Sequence, residues 1–204
     1  RIYTRRARYW DRIDQTAYRG AELVAAAVRA QKPQGDLRVL DAGCGTGMVG
    51  GLLRDRAAGL DGVDLSADML EKAREKGLYD RLHLGDLLLF MTDHPATYDV
   101  VVSAATLIHF GDLSRLFLAV ARTLRPGGCF VFTLFPDEGD PEGDGVVINP
   151  LEGFERGGCY AHGRGHVVRT ATGAGLVVAG LAREIHEYVQ GEPVCCFVGV
   201  VVKP

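Results

Sequence analysis

Apolar residues at Ile13, Ala17, Ala21, Val24 and Val28 recur at spacings of four and three. That stripe predicts an amphipathic helix ending near Ala30, with Tyr18-Arg19-Gly20 as a break within it. The pattern then changes to short apolar runs. Leu37–Leu40 reads as a first strand, Leu60–Val63 as a second that ends at Asp64, and Arg81–Leu84 as a third. Tyr98–Ser103 is apolar without alternation, as in a sheet covered on both faces. Cys129–Phe135 is predicted as strand five, and Leu176–Glu184 and Val194–Val202 as two consecutive final strands.

Helical spacing fills the intervals. It runs from Met48 to about Ala58 and over Ala67–Lys76, with Ser66 as cap and Gly77 as stop, while Leu87–Asp93 reads as a short helix or turn. A further helix, capped by Asp112, extends through Leu124 with Leu113, Leu116, Phe117 and Val120 on one face. Arg125–Gly128 reads as a turn, and 163–173 as a weak helix. Strand and helix alternate until the last two strands. This predicts a doubly wound, mostly parallel α/β sheet of seven strands, Rossmann-like, closed by an antiparallel C-terminal hairpin around Tyr188–Pro193. The acidic, glycine-rich stretch from Asp137 to Gly158, with Val146–Ile148 as a short strand, is long enough to serve as a lid or binding loop.

The organisation expected is one domain over 1–204. It comprises an N-terminal helical cap (1–33), a cofactor-binding core (37–135), an acceptor-side loop (137–160), and a C-terminal helix and hairpin (161–204). A net charge of −3 and the absence of a basic strip with interleaved aromatics argue against nucleic acid. The longest apolar stretches fall well short of the ~20 residues of a membrane span. Five cysteines without CxxC spacing argue against a disulfide framework or zinc site and fit a cytoplasmic protein. The chain begins with Arg1, as a piece of a longer protein would.

The chemistry gathers at Val39–Met48, where two apolar residues lead to Asp41 and glycines follow at 43, 45 and 47. Glycine allows a tight turn with φ > 0 and lets a ligand approach the bare backbone. The N–H groups of the turn and of the following helix are then available to that ligand. Gly45–Gly50 also satisfies a dinucleotide fingerprint, with Asp64 near the required distance, so a nicotinamide oxidoreductase stays open as one alternative.

Four features beyond this fingerprint favour another cofactor. They are Asp41 with the added Gly43, the Gly85-Asp86 pair ending strand three, more than thirty residues of helix ahead of the first strand, and the closing hairpin. The stretches that carry the match are Val39–Gly47, Val63–Leu70, Leu84-Gly85-Asp86, Tyr98–Val101 and Leu124–Gly128. Together they resemble the class I S-adenosylmethionine-dependent methyltransferases over about residues 36–135. The flanks, Tyr18-Arg19-Gly20 and 158–162, resemble a bacterial group often fused to tetratricopeptide repeats, which implies a repeat region upstream.

The resemblance implies S-adenosyl-L-methionine as cofactor, with S-adenosyl-L-homocysteine as product, and methyl transfer to an unidentified acceptor, expected to be a small molecule. Gly43, Cys44, Gly45 and Gly47 form the cradle, with Asp41 and the Ser103 or Ala104 carbonyls toward the donor's ammonium. Asp64 accepts from the ribose hydroxyls. Asp86 and the Leu87 N–H face the adenine, Gly85 shapes the strand exit, and Leu65 and Met69 pack on the ring. Tyr18 and Arg19 close over the methionine end or form a solvated helix end. His109 and His162 are candidate bases or acceptor-orienting groups, since histidine titrates in the useful range. Each also reads as a capping or packing residue. No metal is expected. A non-catalytic S-adenosylmethionine-binding module is the second alternative, because binding motifs do not by themselves establish turnover.

Overall fold

The computed structural model describes residues 18–149, 159–189 and 191–204. The positions Ile13 and Ala17 of the expected first helix, and residues 150–158 of the long loop, lie outside the described residues. Elements run in the order α1 (Gly20–Gln31), β1 (Leu37–Ala42), α2 (Met48–Leu53), β2 (Ala57–Asp64), α3 (Ala67–Glu75), β3 (Arg81–Leu84), α4 (Leu87–Asp93) and β4 (Tyr98–Ser103). They continue with α5 (Ser114–Thr123), β5 (Leu124–Pro136), β6 (Val146–Asn149), β7 (Cys159–His162), α6 (Arg164–Gly173), β8 (Val177–Val189) and β9 (Glu192–Val202).

The main sheet is the expected seven-stranded one. β3, β2, β1, β4 and β5 pair in parallel in that order. β9 then joins β5 antiparallel, and β8 joins β9 antiparallel at the edge. Side chains alternate across the strands, so Val39, Val100, Val102 and Val131 pack under α1 and α2, while Leu40, Val101, Phe130 and Phe132 pack under α5 and α6. Both faces are therefore covered, which is why β4 carries no polar alternation. Chain order reverses beside β1, between β2 and β4, and ligands in open α/β sheets bind at that point beyond the strands' carboxyl ends.

The structure departs from the sequence reading in five places. β8 runs past Glu184 to Val189, and Tyr188 and Pro193, expected in the connecting turn, pair as strand residues. The helix after the glycine turn stops at Leu53 and passes through a 3-10 turn, Arg54–Arg56, into a β2 that begins at Ala57. Arg54 fixes that early stop by donating to the Leu78 and Ala57 carbonyls and pairing with Asp80 at 3.1 Å. Arg125–Gly128 belongs to β5, as a register irregularity between the Tyr98–Leu124 and Val100–Cys129 pairs. Cys159–His162 is a strand, β7, which no apolar run announces; it pairs with β6 and with Phe135 and Pro136. Finally, the Asp112 carboxylate accepts from the Ser114 N–H and hydroxyl, but α5 begins only at Ser114 and ends one residue early.

The acidic loop has its own partners. The N–H groups of Gly163, Arg164 and Gly165 donate to the carbonyls of Gly145, Pro141 and Gly143, which pins the tip of the loop to the start of α6. Its carboxylates meet arginines: Asp144 with Arg169 and Glu142 with Arg164, each at 2.9 Å, and Glu138 with Arg183 at 2.6 Å. Such exposed pairs contribute little each. The backbone bonds hold the tip. Among the described residues, no helix is long and apolar enough to cross a membrane.

Candidate functional site

A cavity of about 390 Å³ opens at the switch point, within the range of small-molecule sites. The glycine turn, the end of β2, the start of α3, the exit of β3 and the segment after β4 line it. The turn is a glycine structure for steric reasons. Gly43, Gly45 and Gly47 have φ of 80°, 52° and 89°, where an L side chain is strained. Around Gly45 a Cβ would meet nothing within 4 Å, so bare backbone borders open space there.

The N–H groups of the turn are used inside the fold, contrary to the sequence expectation. Gly43 and Cys44 donate to the Val63 carbonyl at 2.8 and 3.1 Å, and Gly47 donates to the Cys44 carbonyl. The Gly45 N–H donates to Asp64 Oδ2 at 2.9 Å. The turn is thereby fastened to the end of β2, which brings Asp64 to the cavity. Asp64 Oδ1 accepts from the Ser66 N–H at 2.8 Å, and the Ser66 side chain in turn caps α3 through Met69. Each carboxylate oxygen still has acceptor capacity toward a ligand hydroxyl.

Asp41 lies in the cavity wall with its carboxylate buried. Tyr79 donates to Oδ2 at 2.7 Å, and Oδ1 is buried with no hydrogen-bond partner among the described residues. Burial, only partly offset by the Tyr79 hydrogen bond, pushes its carboxyl up to about 7. Burial also raises the Cys44 thiol, which stays neutral and packs against the turn.

Of the residues singled out from sequence, Tyr18, Asp41, Gly43, Cys44, Gly45, Asp64, Leu65, Met69, Gly85, Leu87 and His109 line the cavity. The rest do not, for identifiable reasons. Gly47 packs under the Tyr79 ring. Ser103 is fully buried and donates to the Ala42 carbonyl, tying β4 to β1. Asp86 caps α4, accepting from the Leu88 and Leu89 N–H groups. Arg19 uses its N–H to bond the His186 carbonyl. His162 is buried at the end of β7, where Nε2 reaches the Phe110 and Gly111 carbonyls at 2.9 and 3.0 Å. It braces the segment after β4 from behind and does not border the cavity. None of residues 137–149 lines the cavity either, so the loop tip is not a wall of it.

His109, which ends the 3-10 turn Leu107–His109, is open to solvent on one side. Desolvation by its remaining surroundings lowers its pKa, so the imidazole is neutral at neutral pH. Sequence reasoning missed Ala105 and Thr106, which also line the site. Ala105 is held at φ 55° by its N–H bond to the Thr133 hydroxyl, a strained backbone in the kind of place where function concentrates. The signal available was their position directly after β4.

Residues 39–128 match the family model described as a methyltransferase domain. A malonyl-[acyl-carrier protein] O-methyltransferase from Pseudescherichia vulneris is 30% identical over 141 residues, 69% of this chain and 54% of that protein. A ubiquinone biosynthesis O-methyltransferase from Idiomarina loihiensis is 33% identical over 100 residues, 47% of this chain and 41% of that protein. The chain thus spans about half the length or less of these curated relatives.

Among solved structures, the 1,6-didemethyltoxoflavin-N1-methyltransferase of Burkholderia thailandensis, with bound 1,6-didemethyltoxoflavin and S-adenosylhomocysteine, superimposes with a TM-score of 0.73 at 18% identity. The match covers 96% of this chain and 83% of that one. A SAM-dependent methyltransferase from Methanosarcina mazei gives 0.68 at 18% identity, over 87% and 96%. The fold is the Rossmann-like methyltransferase fold. Residues 39–128 match a methyltransferase domain within that fold, and the comparisons support an S-adenosylmethionine-dependent methyltransferase with S-adenosylmethionine as its cofactor.

Proposed function

We propose that the chain transfers a methyl group from S-adenosylmethionine to a small-molecule acceptor, with the donor held in the cavity at the switch point. The observation that carries this reading is the pairing of Asp64 with the glycine turn. A carboxylate fastened to the Gly45 N–H sits at the end of β2, beside bare backbone, where a ribose diol finds two acceptor oxygens. Asp41, buried and short of a partner at Oδ1, suits a cationic group seated against the same wall. Exposed Leu65 and buried Met69 offer apolar surface to the adenine, with Gly85 and Leu87 along its edge.

When bound, the donor supplies an activated methyl group on sulfur. The chain's part is to align an acceptor with it and exclude water. Ala104, Ala105, Thr106 and His109 line the same cavity after β4, and His109, its pKa lowered by desolvation, is the imidazole there able to take a proton from an oxygen or nitrogen acceptor. The relatives named above are O-methyltransferases, one of malonyl-[acyl-carrier protein] and one of ubiquinone biosynthesis, and an oxygen acceptor is in keeping with them. The resemblance of Tyr18-Arg19-Gly20 and Tyr160-Ala161-His162 to the repeat-fused group extends the proposal to a recruiting region upstream.

Incubation with methyl-tritiated S-adenosylmethionine and a cell extract fractionated by size tests this function. Label should enter the small-molecule fraction, and His109→Gln should slow its entry about tenfold or more, in the range of a lost general base. Wild-type protein that binds the donor and labels nothing would make the domain a binding module.

A further inference from the structure

Three glycines near the turn leave room for one ring. A Cβ on Gly50 would lie 2.3 Å from the Tyr79 hydroxyl, one on Gly47 2.9 Å from Cε2, and one on Gly62 3.0 Å from Cδ1. Tyr79 comes from the segment before β3, passes between β2 and the start of α2, and reaches Asp41 at the end of β1 with a 2.7 Å hydrogen bond. The glycine at 50, which completes the dinucleotide fingerprint in the sequence, is here the floor under a phenol.

We infer that Tyr79 is a positioning residue for donor binding. Its hydroxyl orients the Asp41 carboxylate in the cavity wall toward the cationic amino-acid end of the donor. Gly47, Gly50 and Gly62 admit the ring that does this. The inference rests on the S-adenosylmethionine reading and adds to it a residue that touches no ligand.

The electrostatics agree with the geometry. The groups acting on Asp41 are Tyr79, the Gly50 N–H and Asp64, with Cys44 and the Tyr18 phenol close by. None of these is a cation. Burial and the Asp41 charge push the Tyr79 phenol far up, so it stays protonated and donates. Burial raises the Asp41 carboxyl, and with the opposing Tyr79 hydrogen bond in place it stands at about 7. A cation seated at the wall favours the ionised form, so donor binding should release a proton near neutrality and strengthen as pH rises. Removing the hydroxyl raises Asp41 further. A rise of one unit from about 7 cuts the ionised fraction at pH 7 about fivefold.

The test is calorimetric titration of the whole chain from pH 6 to 8.5 with two probes. S-adenosylhomocysteine carries the ammonium, and 5′-methylthioadenosine lacks the amino-acid end. In the wild type, S-adenosylhomocysteine should bind more tightly as pH rises, while methylthioadenosine should be indifferent. Tyr79→Phe keeps the ring. It should weaken S-adenosylhomocysteine about fivefold at pH 7, recover at pH 8.5 and leave methylthioadenosine unchanged. Asp41→Asn should bind S-adenosylhomocysteine without pH dependence. Tyr79→Phe indistinguishable from wild type, equal losses for both probes, or an unaltered pH profile in Asp41→Asn would each overturn the inference while leaving the donor reading intact. Wild type that binds neither probe would overturn the donor reading and this inference with it.

Discussion

Replacing Asp64 with alanine should weaken S-adenosylhomocysteine binding at least tenfold, measured by calorimetric titration at pH 7.5. Two losses combine. The ribose hydroxyls lose a charged acceptor, and hydrogen bonds to charged groups contribute about 1.5–3 kcal/mol each. The Gly45 and Ser66 N–H groups also lose the oxygens that fasten the turn and the start of α3 to the end of β2. Asp64→Asn separates the two. Its amide oxygen can still accept from one N–H, so it should retain more turn order than affinity. Unchanged affinity in Asp64→Ala would remove this residue from the donor site.

Gly43→Ala should be the most damaging single methyl added near the cavity. At φ 80° an alanine is strained by about 1–2 kcal/mol. Its Cβ would also fall 2.3 Å from Thr106 Oγ1 and 2.5 Å from Thr106 Cγ2. Overpacking of that kind costs about 1–3 kcal/mol more. Thermal unfolding should move down by at least about 5 °C for a chain of this size. Thr106 lines the cavity, so donor affinity should fall as well. Gly77→Ala is a useful control: it is equally left-handed, at φ 63°, but meets nothing within 4 Å, so it isolates the strain from the clash. Equal losses for the two variants would show that Thr106 yields and that the contact is not tight.

What the sequence made legible follows from how local each signal is. Asp64 ends a strand and precedes a capped helix, so the residues on either side announce it, and the structure places it at the cavity. The strand Tyr98–Ser103 and the helix Leu87–Asp93 have the bounds that apolar run length and periodicity predict. Asp86 has the same local pattern as Asp64, but its carboxylate is turned to the Leu88 and Leu89 N–H groups. Spacing alone does not tell a helix cap from a ligand acceptor.

Non-local partners were illegible. Tyr79 meets Asp41 from 38 positions away, and His162 meets Phe110 from 52. No periodicity encodes either contact. β7 escaped notice because four residues with one histidine and one tyrosine look like loop until β6 and the end of β5 pair with them. The acidic loop looked like a binding surface because its arginine partners arrive from α6 and β8, later in the chain.

The central claim is that the cavity between the glycine turn and Asp64 holds S-adenosylmethionine. Parallel calorimetric titrations of the wild-type chain with S-adenosylhomocysteine and with NADH test it most directly. The account predicts saturable binding of S-adenosylhomocysteine, at one per chain, and no saturable heat from NADH. Saturation by NADH with no response to S-adenosylhomocysteine would contradict it and restore the dinucleotide reading of Gly45–Gly50.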